Sequence, residues 1–191
     1  MRRLILASLA GFALLPLAVA ANEFNVVQPG KSSIAFVSKQ MGVPSEGKFN
    51  KFAAQIAFDP AKPEQGHAQI DVDLASIDAG STEANEEVKG KAWFNAREFP
   101  TAKFAAASLK SLGGGRYEAV GKMTIKGKAR EVVAPFSAKV DGNAVVLDGS
   151  IPVLRLHYGI GDGPWSDTAV VADEVQVRFH FTLSAAPVTK K

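Results

Sequence analysis

Val171-Ala172-Asp173-Glu174-Val175-Gln176-Val177-Arg178-Phe179-His180-Phe181-Thr182-Leu183-Ser184-Ala185 alternates without a fault from Glu174 onward. Val175, Val177, Phe179, Phe181 and Leu183 fall on one parity, and Glu174, Gln176, Arg178, His180, Thr182 and Ser184 on the other. Successive side chains of a strand point to opposite faces, so this stretch predicts one long strand with an apolar face and a wet face. Read outward from it, the rest of the chain repeats the pattern. Val145, Leu147, Gly149, Ile151 and Val153 share a parity, as do Val132, Ala134, Phe136, Ala138 and Val140 before the Asp141-Gly142-Asn143 turn. Tyr117, Ala119, Gly121, Met123 and Ile125 follow the Gly113-Gly114-Gly115 turn, and Ala68, Ile70, Val72 and Leu74 alternate further upstream. Dipeptides of the Asp-Gly and Gly-Gly type between such runs mark hairpins.

Three places depart from simple alternation. Residues 46–58 read as a long strand with a fault, because Gly47 and Phe49 are out of phase with Phe52, Ala54, Ile56 and Phe58. One extra residue in a strand is the signature of a β-bulge, which bends it. Pro135 and Pro152 cannot donate to a ladder and predict local gaps in pairing. Ser81 to Gly90 reads as the one helix, with Ser81 as N-cap, Glu83 and Glu86 near its positive end, and Gly90 as its stop. A helix of this length is marginal alone, so it must lean on Trp93, Phe94 and Phe99 just beyond it.

These segments predict an all-β protein of about eight antiparallel strands. An eight-stranded closed barrel with one short helix fits best, because closure removes exposed edges; a two-sheet sandwich is the alternative that pattern alone leaves open. Residues 1–20 are set apart. Arg2 and Arg3, the uncharged run Leu4 to Leu17 and the small residues of Ala18-Val19-Ala20 predict a cleaved signal peptide. Residues 21–191 are then one secreted domain, expected in a bacterial periplasm because the chain has no cysteine. The formal net charge is +3, and Arg2 and Arg3 supply two of those charges. So little charge argues against nucleic acid as a partner.

Chemistry-bearing clusters are scarce. His67 and His180 fall on wet faces, and neither they nor His157 is spaced like a metal ligand set. Asp71 and Asp73 share an outer face, where general acid–base work lacks the burial it needs. Asp162, Asp167 and Asp173 border the Gly-rich segment 159–167, which does not have the spacing of a calcium loop. Gly159-Ile160-Gly161-Asp162-Gly163 is not followed by a helix and fails as a dinucleotide loop. Lys122, Lys126, Lys128 and Arg130 read as one outward basic surface, either merely solvated or touching anionic lipid headgroups in a transient membrane contact. Arg155 lies on the inward parity with Ile151 and Val153. A buried guanidinium needs a partner, so it either caps the barrel end or contacts a ligand headgroup. Without a nucleophile–base pair, no enzymatic activity and no cofactor are expected. Whether the apolar interior is filled or hollow is not decided by parity.

Several segments, taken in order, resemble the YceI-like family of bacterial periplasmic proteins. They are Ser33-Ile34-Ala35-Phe36, Gly47-Lys48-Phe49-Asn50-Lys51-Phe52, Ile56-Ala57-Phe58-Asp59, Trp93-Phe94-Asn95 with Phe99-Pro100-Thr101-Ala102-Lys103-Phe104, Gly121-Lys122-Met123-Thr124-Ile125-Lys126-Gly127, and Arg155-Leu156-His157-Tyr158-Gly159. The resemblance implies a lipocalin-like barrel that binds a polyisoprenoid, such as ubiquinone or a polyprenyl phosphate, in its lumen. It also implies a membrane cytochrome b561-type protein as a partner, with the chain then holding a quinone for electron transfer. Many members carry Asp-x-x-His-Ser where this chain has Gln28-Pro29-Gly30-Lys31-Ser32, so no role of that histidine is carried over. The residues expected along a bound chain are Phe36, Phe49, Phe52, Ile56, Ile70, Val72, Trp93, Phe94, Phe104, Met123, Phe136, Arg155, Val177 and Phe179, with Ser81 to Phe99 framing the mouth.

Overall fold

The C-terminal alternation forms one strand, Glu174–Ala185, the last of eleven in one antiparallel sheet. The structure, a computed structural model, describes residues 23–186; the expected signal peptide lies outside them. In chain order the strands are β1 (Phe24–Val27), β2 (Ser33–Gln40), β3 (Val43–Phe49), β4 (Phe52–Ala57), β5 (His67–Asp73), β6 (Ile77–Asp78), β7 (Thr101–Gly113), β8 (Arg116–Ile125), β9 (Lys128–Asp141), β10 (Ala144–Leu154) and β11 (Glu174–Ala185). The helix α1 is Thr82–Lys89.

The expected eight walls are present, and the surplus has a simple origin. β3 and β4 are one strand broken at Asn50 and Lys51. β3 pairs with β2 and β4 pairs with β5. The fault read between Phe49 and Phe52 is therefore a corner rather than a bulge, and the chain itself carries the ring round it. β1 and β6 are short added pairings. The order from β4 through β5, β7, β8, β9, β10, β11 and β2 to β3 returns to β4 through that corner, giving a lipocalin-like antiparallel barrel. At the opposite end β1 completes the closure. It pairs with β11, and Phe24 and Phe58 exchange backbone hydrogen bonds of 2.9 and 3.0 Å beyond the end of β4.

Pro135 and Pro152 both lie where pairing gives way. The β9–β10 ladder runs from Ala144–Asp141 to Gly149–Phe136 and stops. Pro135 and Pro152 stand just past that point, on the two strands that part. Each keeps only its other neighbour, Glu118 in β8 and Gln176 in β11. A missing N–H costs nothing where no ladder acceptor waits for it.

The interior differs between its ends. Near β1, Phe58 meets Tyr117 edge-on at 5.0 Å and Phe136 at 5.8 Å, and Tyr117 stacks on Phe136 at 5.4 Å. Phe24, Val145 and Leu183 complete this packed floor, each no more than 1% exposed. Toward the other end the apolar faces of the walls line a cavity.

One wall residue behaves differently from its parity. Thr182, on the wet side of β11, is buried. The turn at Pro29–Lys31 covers it, and its hydroxyl donates to the Lys31 carbonyl at 3.0 Å. Ser32 fastens the same turn, donating to the Gln28 carbonyl at 2.8 Å and accepting from the Thr182 N–H at 3.1 Å. Pro44 is in β3 opposite Lys39, and the β2–β3 turn is Met41-Gly42.

Candidate functional site

The hollow end of the barrel holds a cavity of about 410 Å³, within the ~300–1,000 Å³ common for small-molecule sites. Its walls are the inward rows of the strands. β2 and β3 supply Phe36 and Phe49, β4 and β5 supply Ile56, Ile70 and Val72, β7 and β8 supply Phe104 and Met123, and β11 supplies Val177 and Phe179. Phe136 and Phe58 form the floor, where the aromatic cluster begins. Trp93, Phe94 and Arg155 close in from the loops above.

Of the residues expected along a bound chain, only Phe52 does not line the cavity. The corner at Asn50 and Lys51 carries its ring to the seam of the wall, where it meets Phe181 edge-on at 5.9 Å. Several lining residues were missed by the sequence reading. Ile34, Leu147, Ile151 and Val153 were legible by parity. Ser38, Gln40 and Ser45 share the parity of Phe36 and Phe49 but are polar, and polarity alone hid them.

The mouth is built from two covers. The first is α1 and the segment after it. Ser81 caps the helix by accepting from the Ala84 N–H at 3.1 Å, and Gly90 ends it, as the sequence predicts. Ala84, Glu87 and Val88 face the cavity, and Phe99 packs over the β8–β9 turn at Gly127. The second cover is residues 155–173, which include 3-10 turns at Arg155–Tyr158 and Gly163–Trp165. The two covers are joined. Gly161 and Asp162 both donate backbone hydrogen bonds of 2.9 Å to the Ala92 carbonyl. Trp93 and Trp165 pack with ring centroids 5.5 Å apart, and Trp93 Nε1 donates to Glu87 at 3.2 Å.

Arg155 organises the second cover. It is 2% exposed. Its Nε donates to the Ala172 carbonyl at 3.0 Å, Nη1 to Ile160 and Gly161 at 2.9 and 3.0 Å, and Nη2 to Trp165 and Val171 at 2.8 and 2.7 Å. A guanidinium has five N–H donors, and here each faces a main-chain carbonyl. The group also lies over the Trp93 ring, 5.8 Å from its centroid. Burial pulls its pKa below the ordinary arginine value, against the pull of Asp173 and Asp162. Of the two roles read from the sequence, the cap is the one this geometry fits, because no donor is left for a headgroup.

The remaining polar candidates have local duties. The basic residues do not form one outward surface. Lys126 donates to the Gly159 carbonyl and lies 3.5 Å from Asp162, and Arg130 Nη2 reaches the His157 carbonyl at 3.5 Å. Lys128 lies against Gly159, and only Lys122 stays on the outer face, opposite Glu131. The inward parity of Lys128 and Arg130 carries them past the barrel rim and onto the second cover. Asp173 accepts from the Leu156 N–H at 2.9 Å and Asp167 from the Ala169 N–H at 2.8 Å. Asp73 caps the turn at Leu74–Ser76, and Asp71 pairs with Lys103 at 3.6 Å. His67 and His157 are exposed, and His180 Nδ1 lies 2.6 Å from Asp148 outside the barrel.

Residues 26–183 match the family model of the YceI-like domain. The chain belongs to the YceI-like family. Among its relatives, a UPF0312 protein of Shewanella denitrificans is 30% identical over 135 residues, covering 69% of this chain and 71% of that protein. One from Vibrio cholerae is 26% identical over 134 residues, 69% of this chain and 71% of its own length. The crystal structure of Burkholderia cenocepacia BcnA superposes with a TM-score of 0.80 at 46% identity, covering 82% of this chain and 98% of BcnA. A polyisoprenoid binding domain from Saccharophagus degradans shares the YceI-like fold at a TM-score of 0.65 and 13% identity, over 87% of this chain and 99% of its own.

Proposed function

We propose that this YceI-like protein is a periplasmic carrier that holds the tail of a long-chain amphiphile, a polyisoprenoid, in the hollow half of its barrel. The observation that carries this reading is the cavity of about 410 Å³ with inward Phe, Ile, Val and Met rows and a sealed aromatic floor. Such a cup suits a flexible hydrocarbon entering from one end. Each CH₂ removed from water contributes up to ~0.8 kcal/mol, less the cost of ordering the chain, so affinity needs no covalent chemistry. Membership of the family and the shared fold with a polyisoprenoid binding domain support a prenyl tail over a straight acyl chain. The signal sequence read in residues 1–20 supports the periplasm.

Native mass spectrometry of protein purified from its own periplasm tests the proposal. The expected spectrum shows a protein–lipid adduct whose released component is a prenyl lipid. A protein that arrives empty and takes up neither a quinone nor a polyprenyl lipid from micelles would sink it.

A further inference from the structure

We infer that the tip of the β2–β3 hairpin docks on a membrane: Met41, Val43 and Val170 enter the surface of a lipid bilayer, and Lys39 meets its anionic headgroups. This goes beyond the carrier reading and does not depend on which amphiphile the cavity holds. Met41 and Val43 are the two most exposed large hydrophobic side chains among the described residues, at 74% and 66%. Val170, also exposed, lies beside them: the Met41 N–H donates to the Val170 carbonyl at 2.8 Å, and Gln40 bridges to Val171. Just below the tip on the same two strands, Ser38, Lys39, Gln40 and Ser45 line the cavity. The apolar tip is therefore continuous with the cavity mouth. The chemistry of the turn shows that Met41 does not serve the fold. Met41 and Gly42 both have positive φ, 48° and 79°, as in a two-residue type I′ turn, where asparagine before glycine is the favoured pair. A methionine held in the left-handed region is strained, and in water it gains no burial to offset that strain.

A bilayer is the occupant that fits this tip. Three side chains fall well short of the ~800 Å² per partner that a stable protein interface buries. A second copy adding a strand along β3 is opposed by the edge itself. β6 covers that edge only at Lys48 and Phe49, and nearer the tip Pro44 has no N–H to offer a new strand. A bilayer needs no complementary shape, only apolar side chains that pass the headgroups and a cation to lie among them. Lys39 is exposed and pairs with no carboxylate among the described residues. Glu46, the one acid of this hairpin, is taken by Arg178 at 3.3 Å.

The chain has no cysteine, so an environment-sensitive fluorophore can be placed at one introduced thiol. With the label at Met41→Cys, vesicles of phosphatidylethanolamine and phosphatidylglycerol should shift the emission to the blue, and a quencher on the acyl chains should dim it. Leu112→Cys, exposed beside the β7–β8 turn at the floor end, should show neither effect. In sedimentation with the same vesicles, the unlabelled double variant Met41→Asn with Val43→Thr should bind at least about tenfold more weakly than the parent, as two apolar side chains then stay out of the lipid. Its melting temperature should be unchanged or higher, because Asn-Gly is the better turn, and its uptake of a prenyl lipid from detergent micelles should match the parent's. Lys39→Gln should weaken binding to these vesicles about fivefold and leave binding to phosphatidylcholine vesicles unchanged. Unchanged emission from position 41, or full vesicle binding by the double variant, overturns the docking and leaves the carrier in place. A blue shift that grows with protein concentration and needs no vesicles gives the tip to a second copy and overturns the docking as well. Vesicle binding by a parent protein that takes up no prenyl lipid from micelles supports the docking and overturns the carrier.

Discussion

Arg155 carries more structure than any other single side chain of the mouth. Replacing it with Met removes one guanidinium and leaves five carbonyls of the second cover without their donor. Buried acceptors so abandoned are expensive, and the loss of folding stability expected for Arg155→Met is about 3–5 kcal/mol. Arg155→Lys keeps a charge but has three donors on a point head, so it should recover only part of that loss. Urea denaturation of the three proteins checks the order. Equal midpoints for the parent and the Met variant would contradict the clamp. Tyr158, at the end of the same turn, is 2% exposed, and burial raises its pKa above the ordinary tyrosine value, with Arg130 opposing. A phenol whose folded pKa is raised contributes stability that is complete below about pH 10 and is lost as pH rises through the folded value, because the unfolded chain gives up its proton first. Alkaline titration followed by circular dichroism should therefore show a shallower loss of stability above that pH for Tyr158→Phe than for the parent. A steeper one would reverse the sign.

At the scale of elements, three inner glycines show how the walls admit their aromatics. Phe36 in β2 lies over its partner Gly47 in β3, Phe179 in β11 over its partner Gly149 in β10, and Phe104 in β7 over Gly121 in β8. A methyl group on Gly47 would sit on the Phe36 ring and 2.7 Å from the Asp78 carbonyl. On Gly149 it would meet the Phe179 ring and the Pro135 carbonyl, where β9 and β10 part. Either glycine to Ala is expected to cost about 1–3 kcal/mol by overpacking. If thermal melts show Gly149→Ala to be neutral, the ring does not need that space. These pairs also mark where the sequence was legible. Within each straight strand the alternation placed inward residues correctly from Tyr117 to Ile125 and from Val175 to Leu183, and the cap residues of α1 were readable from Ser81 and Gly90. Parity does not survive a corner or continue its meaning past a rim. That is why Phe52, just beyond Asn50 and Lys51, moved to the seam, and why Lys128 and Arg130 left the expected outer surface for the second cover. Ser38, Gln40 and Ser45 were in phase with Phe36 and were passed over for their polarity, although a polar residue on an inward parity is the signal a ligand's head would leave.

For the whole molecule, the division into a packed end and a hollow end makes a contrast that neither a filled barrel nor an open one shares. Val145 is fully buried beside Phe24 and Leu183 in the packed end. Val72 lines the cavity in the hollow end. The same substitution, valine to phenylalanine, should therefore have opposite signatures. At Val145 there is no room, and added ring atoms force neighbours off their rotamers at a cost of about 1–3 kcal/mol or more. At Val72 the ring enters empty space and gains contacts there, so stability should change by less than about 1 kcal/mol. The effect on ligand uptake runs the other way. Val72→Phe takes volume from the cup and should weaken lipid binding markedly. Val145→Phe, wherever it still folds, leaves the cup's dimensions alone. Denaturation midpoints and lipid titrations on the two variants give four readings. A Val72→Phe protein that is strongly destabilised would show the upper half to be packed as tightly as the floor. One that is stable and binds lipid as well as the parent would place the ligand outside the lumen. The expected pattern, stability lost at one end and binding lost at the other, follows only from a barrel packed at its floor and hollow above it.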